Sequence, residues 1–489
     1  MSAVLPLGEV EASPTPEPGK LVTVLAVLAA AALAALSGLG VGSGSKLAVV
    51  LPLMVATGAM LGVLALTRFS VFVMALLVLR ASIDLGKLSG DQASQGAAAG
   101  AAVAERGLDP TSLLGVVFLL TSALWLAAQH HRWGKLPGST LRRALLVFVA
   151  AATISTPASV SVRASLLELL RIVAAVTMFI VLEQLIVNRT LLRQVVLAAF
   201  LSLLFPLAYT ALGFLTGSPV SEVKGAFTRI TGPFATSNTF GRYLMVMIVF
   251  GAALYPHLER GWQMALAALL TPSAIFLVLT YTRTAIIGTV IGLVVVGLIQ
   301  SKRLLVTLLA MSLAALILVP QFSSRFTSLA DVDPSGQPSG NTLMWRLSYW
   351  TEILPLANSS PVTGIGLSST QLSTDEAKQP HNDFIRAYVE TGLLGLGAYL
   401  AMLIALVGLG RRAVRASPPR SFERGVAAGF LGCAVAFVAV SIAANVLSSV
   451  VLLWYLFAFA AAAAFVARQQ LIPNSDRLVD TGGSRHGDR

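Results

Sequence analysis

One short polar run contains the residues best suited to acid–base chemistry in this chain. It reads Pro380-His381-Asn382-Asp383-Phe384 and comes just before an apolar segment. A histidine can accept a proton near neutral pH, so His381 could activate a hydroxyl group as a nucleophile. Asn382 or Asp383 can cap the helix that follows. This placement favours a base held at the start of a rigid element, and a histidine that only packs or caps is the alternative.

Three arginines form a second group of candidates, because a guanidinium binds phosphate oxygens through two parallel N–H donors. Arg229 precedes an apolar segment that begins near residue 239, and Arg283 lies in a very short junction between two apolar segments. Together they predict a binding site for a pyrophosphate group. Arg346 is the weaker third candidate, for which anchoring at the membrane surface or a salt bridge is the preferred interpretation.

Glu390 follows Arg386 by four residues, which is the spacing of an ion pair on one helix face. A structural pair is the preferred interpretation, and a role in orienting His381 is the alternative. The run Gly364-Ile365-Gly366 is interpreted as a tight turn, because a lone G-x-G lacks the strand and helix of a phosphate-binding loop. The sequence has neither a metal-like spacing of ligands nor a nucleotide-binding motif, so we expect no metal and no cofactor.

Membrane-spanning helices must position these residues. Of the 489 residues, 56% are hydrophobic and 11% are charged, and the mean hydropathy is +0.81. These values exclude a soluble globular protein. The net charge of +12 does not indicate nucleic acid as a partner, because the basic residues lie in short loops between apolar segments. The single cysteine, Cys433, excludes a disulfide framework.

The apolar segments predict the fold class and the domain organisation. A helix that crosses a bilayer needs about 20 apolar residues. On this basis we expect an all-α polytopic integral membrane protein with about 12–14 transmembrane helices. The predicted segments are 21–38, 47–66, 70–84, 112–129, 142–158, 166–187, 193–214, 239–255, 263–281, 284–300, 303–320, 390–410, 425–445 and 448–467.

The remaining residues form one long loop and two tails. Residues 321–389 are expected to be a long extracytoplasmic loop that carries His381, between helices in 21–320 and helices in 390–467. Residues 1–20 and 468–489 are expected to be disordered cytoplasmic termini.

Lys and Arg residues in short loops indicate which loops face the cytoplasm. They concentrate near 135–143, 189–193, 260, 302–303 and 411–424, so both termini are expected in the cytoplasm. Of the five histidines, only His381 then lies outside.

Several of these residues resemble the motifs of the O-antigen ligase and polymerase superfamily, which consists of bacterial membrane enzymes that act on polyprenyl-pyrophosphate-linked glycans. The similar elements extend over about residues 225–410. They are Arg229 with Gly232 and Asn238, the junction Thr282-Arg283-Thr284-Ala285, the stretch from Arg346 to Gly366, and His381-Asn382-Asp383-Phe384 with Glu390-Thr391-Gly392.

The resemblance implies a GT-C-like fold and a metal-independent, inverting glycosyltransferase in the bacterial cytoplasmic membrane. The donor would be a polyprenyl-pyrophosphate-linked glycan, and the acceptor a glycan or a glycolipid. His381 would be the catalytic base, the pyrophosphate would be bound by Arg229, Arg283 and Arg346, and supporting roles would fall to Asn382, Asp383 and Glu390. The motifs do not separate a ligase from a polymerase. A glycolipid or solute transporter or flippase, and a non-catalytic scaffold, are the alternatives.

Overall fold

A computed structural model describes residues 58, 60–82, 110–133, 138–224, 227–301, 343–374 and 378–469, together with 303, 305, 306 and 310. The chain divides into two compact units after Phe72, and the second unit contains every candidate residue. The helices are α1 (Phe69–Leu79), α2 (Pro110–Trp133), α3 (Thr140–Ser155), α4 (Val162–Leu185), α5 (Arg189–Leu201), α6 (Leu204–Leu215), α7 (Ser237–Leu254), α8 (Arg260–Leu279), α9 (Arg283–Gln300), α10 (Leu343–Ile353), α11 (Asp383–Ala416), α12 (Phe422–Ser441) and α13 (Val450–Arg468).

Nine helical segments within the described residues are long and apolar enough to cross a membrane. These are α3, α4, α5 with α6, α7, α8, α9, α11, α12 and α13, and each coincides with a segment that the sequence predicts. The prediction of an all-α polytopic membrane protein is therefore confirmed. The predicted segment 21–38 lies outside the described residues, as do most of 303–320 and part of 47–66.

The centre of the bundle is formed by helices that approach one another closely through small residues. A Cβ atom on Gly292 of α9 would lie 2.7 Å from Val249 of α7 and 3.2 Å from the carbonyl oxygen of Gly432 of α12. On the other side of α7, the rings of Phe250 and Phe459 stack with 3.7 Å between centroids. Small residues let helix backbones come close in a membrane, where dispersion contacts replace the hydrophobic driving force.

Charged residues gather at opposite ends of these helices. At one end, Arg189 at the start of α5 pairs with Glu423 at the start of α12, with 2.9 Å between nitrogen and oxygen. Glu183 near the end of α4 accepts a 3.0 Å bond from the backbone N–H of Ser139. Arg189, Glu423 and Ser139 belong to loops predicted as cytoplasmic, and Glu183 lies near the end of the predicted segment 166–187. His381 lies at the other end, beside the end of α12. Which end faces the cytoplasm stays a prediction.

Two boundaries differ from the predicted ones. α11 begins at Asp383 instead of residue 390, and it contains a non-helical residue, Gly392, with φ of 65°. α12 ends at Ser441 instead of residue 445, so residues 442–449 form a turn that we call the 442–449 turn. Between the predicted segments 193–214 and 239–255 lies a two-stranded antiparallel hairpin, β1 (Ser221–Lys224) and β2 (Phe227–Ile230).

Candidate active site

His381 lies at the tip of the loop that leads into α11. Its φ of 54° is in the left-handed region, which a residue other than glycine adopts only where the surrounding structure requires it. The next residue, Asn382, caps α11, because its Oδ1 accepts bonds from the backbone N–H groups of Phe384 at 2.9 Å and Ile385 at 3.2 Å. The cap fixes the start of α11 directly beside the imidazole.

The 442–449 turn holds this loop from one side. The side-chain amide Nδ2 of Asn445 lies 3.4 Å from His381 Nδ1. Asp383, which is fully buried, accepts bonds through Oδ2 from the backbone N–H groups of Val446 at 2.9 Å and Leu447 at 3.2 Å. The turn and the histidine loop are thus joined through side chains of both segments.

Helix α10, within the predicted long loop, supports the histidine loop from another side. Trp350 donates a 2.7 Å bond from Nε1 to the carbonyl oxygen of Pro380. Trp345 contacts the imidazole of His381 edge to face, with 6.1 Å between ring centroids. The aromatic residues of α10 therefore position the backbone just before His381 and cover one side of its ring.

Two arginines donate to the same turn. Arg242 of α7 donates from Nη1 to the carbonyl oxygen of Asn445 at 3.0 Å, and Arg346 of α10 donates to that of Ala443 at 2.9 Å. In both side chains Nε is buried and has no hydrogen-bond partner among the described residues. Burial lowers the pKa of Arg346. Arg242 is 7% exposed, and its charge interacts with those of Arg346 and Asp383.

Arg229 is held within the protein. It is 5% exposed and lies in β2. Nε donates to the carbonyl oxygen of Thr280 at 2.9 Å, and Nη2 donates to Asn238 Oδ1 at 2.9 Å and Thr282 Oγ1 at 3.0 Å. These three bonds fix the hairpin against the start of α7 and the junction between α8 and α9. Arg283, half-buried, is the first residue of α9 at the same junction.

Helix α7 connects the two groups of arginines. Asn238, which binds Arg229, precedes Arg242 by four residues, so both lie on one face of α7 about one turn apart. The sequence-predicted residues His381, Arg346, Arg229 and Arg283 are thus brought to the same end of the bundle. Arg346 lies with Arg242 beside the histidine, whereas Arg229 and Arg283 lie at the junction between α8 and α9.

A buried ion-pair network lies one turn along α11. Arg386 donates from Nε to Glu390 Oε2 and from Nη2 to Glu168 Oε1 of α4, both at 2.9 Å. Glu390 also accepts a 2.6 Å bond from Thr370 Oγ1. The ion pair that the i, i+4 spacing predicts is present. These contacts of Glu390 are with Arg386 and Thr370, which supports the interpretation of Glu390 as part of a structural ion pair.

The glycines of the run 364–366 fit into the break in α11. Gly364 and Gly366 have φ of 74° and 97°, and the backbone N–H groups of Ile365 and Gly366 donate to the carbonyl oxygens of Val389 and Glu390 at 3.1 and 3.0 Å. A Cβ atom on Gly364 would lie 2.4 Å from the carbonyl carbon of Glu390. The run is a turn that satisfies the opened backbone of α11.

Sequence reasoning missed Arg242, Asn445 and Glu168. Each lies within or at the end of a segment counted as a membrane span. A charged residue within such a segment is costly and marks a functional or paired position, which was the available signal for Arg242 and Glu168. Asn445 had a weaker signal, the cluster of polar residues Asn445, Ser448 and Ser449 in an otherwise apolar stretch.

Comparisons with known proteins find one protein family and one curated relative that are similar to parts of this chain. Residues 265–400 match a protein family described as O-antigen ligase, and this range includes Arg283, Arg346 and His381. The chain is also 25% identical over 232 residues to the exopolysaccharide production protein ExoQ of Rhizobium meliloti (strain 1021). The match covers 42% of this chain and 51% of that protein, so the chain spans about half the length of the curated relative.

Proposed function

Because residues 265–400 match the O-antigen ligase family and the chain resembles an exopolysaccharide production protein, we propose that it is a metal-independent, inverting glycosyltransferase of the O-antigen ligase and polymerase superfamily. It transfers or polymerises a polyprenyl-pyrophosphate-linked glycan at the outer face of the bacterial cytoplasmic membrane. The observation that carries the proposal is that His381, Arg242 and Arg346 all contact one short turn at one end of the bundle. A base and two cations are thereby close to one another.

The proposed reaction is a single displacement at the anomeric carbon of the donor. His381 takes the proton of the acceptor hydroxyl, and the acceptor oxygen forms a bond to the anomeric carbon. The bond from that carbon to the pyrophosphate oxygen breaks, and the polyprenyl pyrophosphate leaves with the electron pair. Attack from the face opposite the leaving group inverts the anomeric configuration. Because the leaving group is already activated, the step requires no covalent enzyme intermediate.

The arginines supply the stabilisation of the leaving group. Within the described residues, neither Arg242 nor Arg346 has a carboxylate at salt-bridge distance, and each keeps a buried Nε–H donor without a partner. Two positively charged guanidinium groups in a poorly solvated site favour the binding of an anion. We assign the pyrophosphate to this pair, with Arg283 at the nearby junction as a further contact. Arg229 has three protein acceptors and acts mainly by holding the hairpin and that junction.

The test replaces His381 with asparagine, which tolerates a left-handed backbone and so leaves the loop intact. Purified protein in lipid nanodiscs is given a polyprenyl-pyrophosphate glycan and an acceptor, and the released polyprenyl pyrophosphate is measured. We expect His381→Asn to lower the turnover at least about 100-fold, the usual contribution of a general base. His131→Asn, an exposed histidine near the end of α2, is the control and should keep full turnover. Wild-type yield and glycan length in His381→Asn would refute the assignment of the base.

The broken helix α11 also fits a transporter, since transporter sites are often built on discontinuous helices. The same nanodisc assay separates the two functions, because there is only one compartment. A transferase releases polyprenyl pyrophosphate there, whereas a transporter gives no chemical turnover.

Deletion of the gene separates the two transferase reactions. Surface glycan that retains single units but loses chain length indicates a polymerase. Full-length polymer that accumulates on the lipid carrier indicates a ligase.

A further inference from the structure

The contact between Asn445 and His381 determines which imidazole nitrogen can act as the base. In a neutral imidazole one nitrogen carries a proton and the other accepts. If the amide NH₂ group faces Nδ1, then Nδ1 accepts and the proton lies on Nε2, which cannot take another. If the amide oxygen faces Nδ1, then Nδ1–H donates to it, and Nε2 carries the lone pair that can accept the proton of a hydroxyl group.

The second arrangement is accessible in the structure. Asn445 Nδ2 makes the 3.4 Å contact with the ring nitrogen, and Oδ1 is buried without a hydrogen-bond partner among the described residues. Rotation of the amide by about 180° exchanges two groups of the same shape, so it brings Oδ1 to the ring nitrogen without moving any other atom. In either orientation one end of the amide lacks a partner there, so the proton transfer decides between the two arrangements.

Proton transfer favours the second arrangement. Once Nε2 has taken the acceptor's proton, the ring is an imidazolium and both nitrogens are donors. Only an amide oxygen at Nδ1 can remain bonded both before and after the transfer. With the NH₂ group at Nδ1, the amide would have to rotate during each catalytic cycle.

The 442–449 turn keeps Asn445 fixed during the proton transfer to His381. The carbonyl oxygen of Asn445 accepts a bond from Arg242, and the next two N–H groups donate to Asp383 in the first turn of α11. The amide is 5% exposed, so water does not compete strongly for its oxygen. The position of the amide relative to the imidazole is therefore set from both segments.

We propose that Asn445 is a positioning residue that holds His381 in the tautomer with Nε2 as the base. The inference rests on the proposed function, because it requires His381 to accept a proton. Asn445 itself touches no reacting atom in this scheme and acts only through the ring.

Two variants test the role of the amide. Asn445→Leu has a similar shape and no acceptor, and we expect turnover to fall about 10- to 100-fold with KM for the donor within about twofold. Asn445→Asp keeps an acceptor at Nδ1 and adds a negative charge that stabilises the imidazolium. It should retain most of the turnover, and the fall in kcat/KM on the acidic side should move to higher pH, because a base with a raised pKa stays protonated to higher pH.

Ser449→Ala is the matched control, since Ser449 lies in the same turn and its buried hydroxyl has no hydrogen-bond partner among the described residues. Its turnover and pH profile should equal those of the wild type. Unchanged turnover in Asn445→Leu, or a wild-type pH profile in Asn445→Asp, would overturn the inference. If Asn445→Leu does not fold, the pH profile of Asn445→Asp alone decides. An active His381→Asn would instead refute the proposed function, so the two failures are distinguishable.

Discussion

The ion pair between Glu168 of α4 and Arg386 of α11 predicts a large loss of stability when the glutamate is removed. The two side chains are 6% and 4% exposed, and Nη2 lies 2.9 Å from Oε1. Removing one partner of a buried pair usually costs about 3–5 kcal/mol, because the other charge stays buried alone. Arg386 keeps Glu390 at 2.9 Å, so we expect the lower value, about 3 kcal/mol, for Glu168→Leu.

Glu168→Gln separates charge from hydrogen bonding. It keeps an oxygen that accepts from Arg386, but it loses the charge and the second oxygen, which accepts from Arg171 Nη1 at 3.1 Å. Because Arg171 is partly exposed and can be solvated, the free energy of unfolding should fall by about 1–2 kcal/mol. The measurement is unfolding in mixed dodecyl maltoside and SDS micelles, followed by far-UV circular dichroism. Glu259→Leu is the control, because Glu259 is exposed and caps no helix through its side chain. Its effect should remain within about 0.5 kcal/mol.

A double-mutant cycle of Glu168→Gln with Arg386→Gln measures the coupling between the two charges directly. The reasoning is refuted if Glu168→Leu loses less than about 1 kcal/mol, which would mean that Glu390 and Ser448 satisfy Arg386 without α4. Because α4 holds the first turns of α11 through this pair, the turnover of Glu168→Leu should fall together with its stability.

Three further substitutions probe the loops around the site. Gly364→Ala should lower the free energy of unfolding by about 3 kcal/mol in the same micelle assay, because its φ is 74° and a Cβ would overlap Glu390. Gly397→Ala is the control, because a Cβ at Gly397 has no atom within 4 Å, and it should be neutral or slightly stabilising. Arg283→Lys keeps the charge but loses the planar fork, so donor turnover in nanodiscs should fall about tenfold, and full turnover would identify a membrane anchor. Trp350→Phe removes the bond to the Pro380 carbonyl, so stability should fall by about 1 kcal/mol and turnover should fall with it, and unchanged values of both would contradict the supporting role of α10.

The positions of the spans could be predicted from the sequence because hydropathy depends on local composition. The ends of the spans could not. The stretch after Ser441 continues with the apolar residues Ile442, Ala443 and Ala444, so hydropathy does not mark the end of the helix. The helix ends there as Asp383, Arg242 and Arg346 bind the backbone of the turn that follows. Conversely, the predicted span began only at residue 390, after the charged residues Asp383 and Arg386, although the cap at Asn382 indicated an earlier start of the helix. Glu168, which is 218 residues before Arg386, pairs with it and allows a buried helix there.

The same distinction applies to the site. The candidate His381 and the helix cap beside it could be proposed from the sequence because Pro380, His381 and Asn382 are adjacent in the chain. Asn445 and Arg242 depend on contacts between segments far apart in the chain, and a single sequence contains no record of those contacts. The sequence identified Arg229 as a candidate for binding pyrophosphate, but two of its acceptors, Thr280 and Thr282, come from the junction between α8 and α9 and could not be predicted.

The break at Gly392 has a consequence for the depth of the site in the lipid. Counting about 20 residues, or about 30 Å of helix, back from Arg412 near the far end of α11 reaches Gly392. With Arg412 at one membrane surface, the part of α11 after the break would cross the hydrocarbon layer, and the turns with Arg386 and Glu390 would stand at the height of the phospholipid headgroups. A lipid-linked pyrophosphate rests at that height in any bilayer. The proposed donor would reach the arginines by lateral diffusion alone, with its isoprenoid chain still dissolved in the membrane and its sugars already in water.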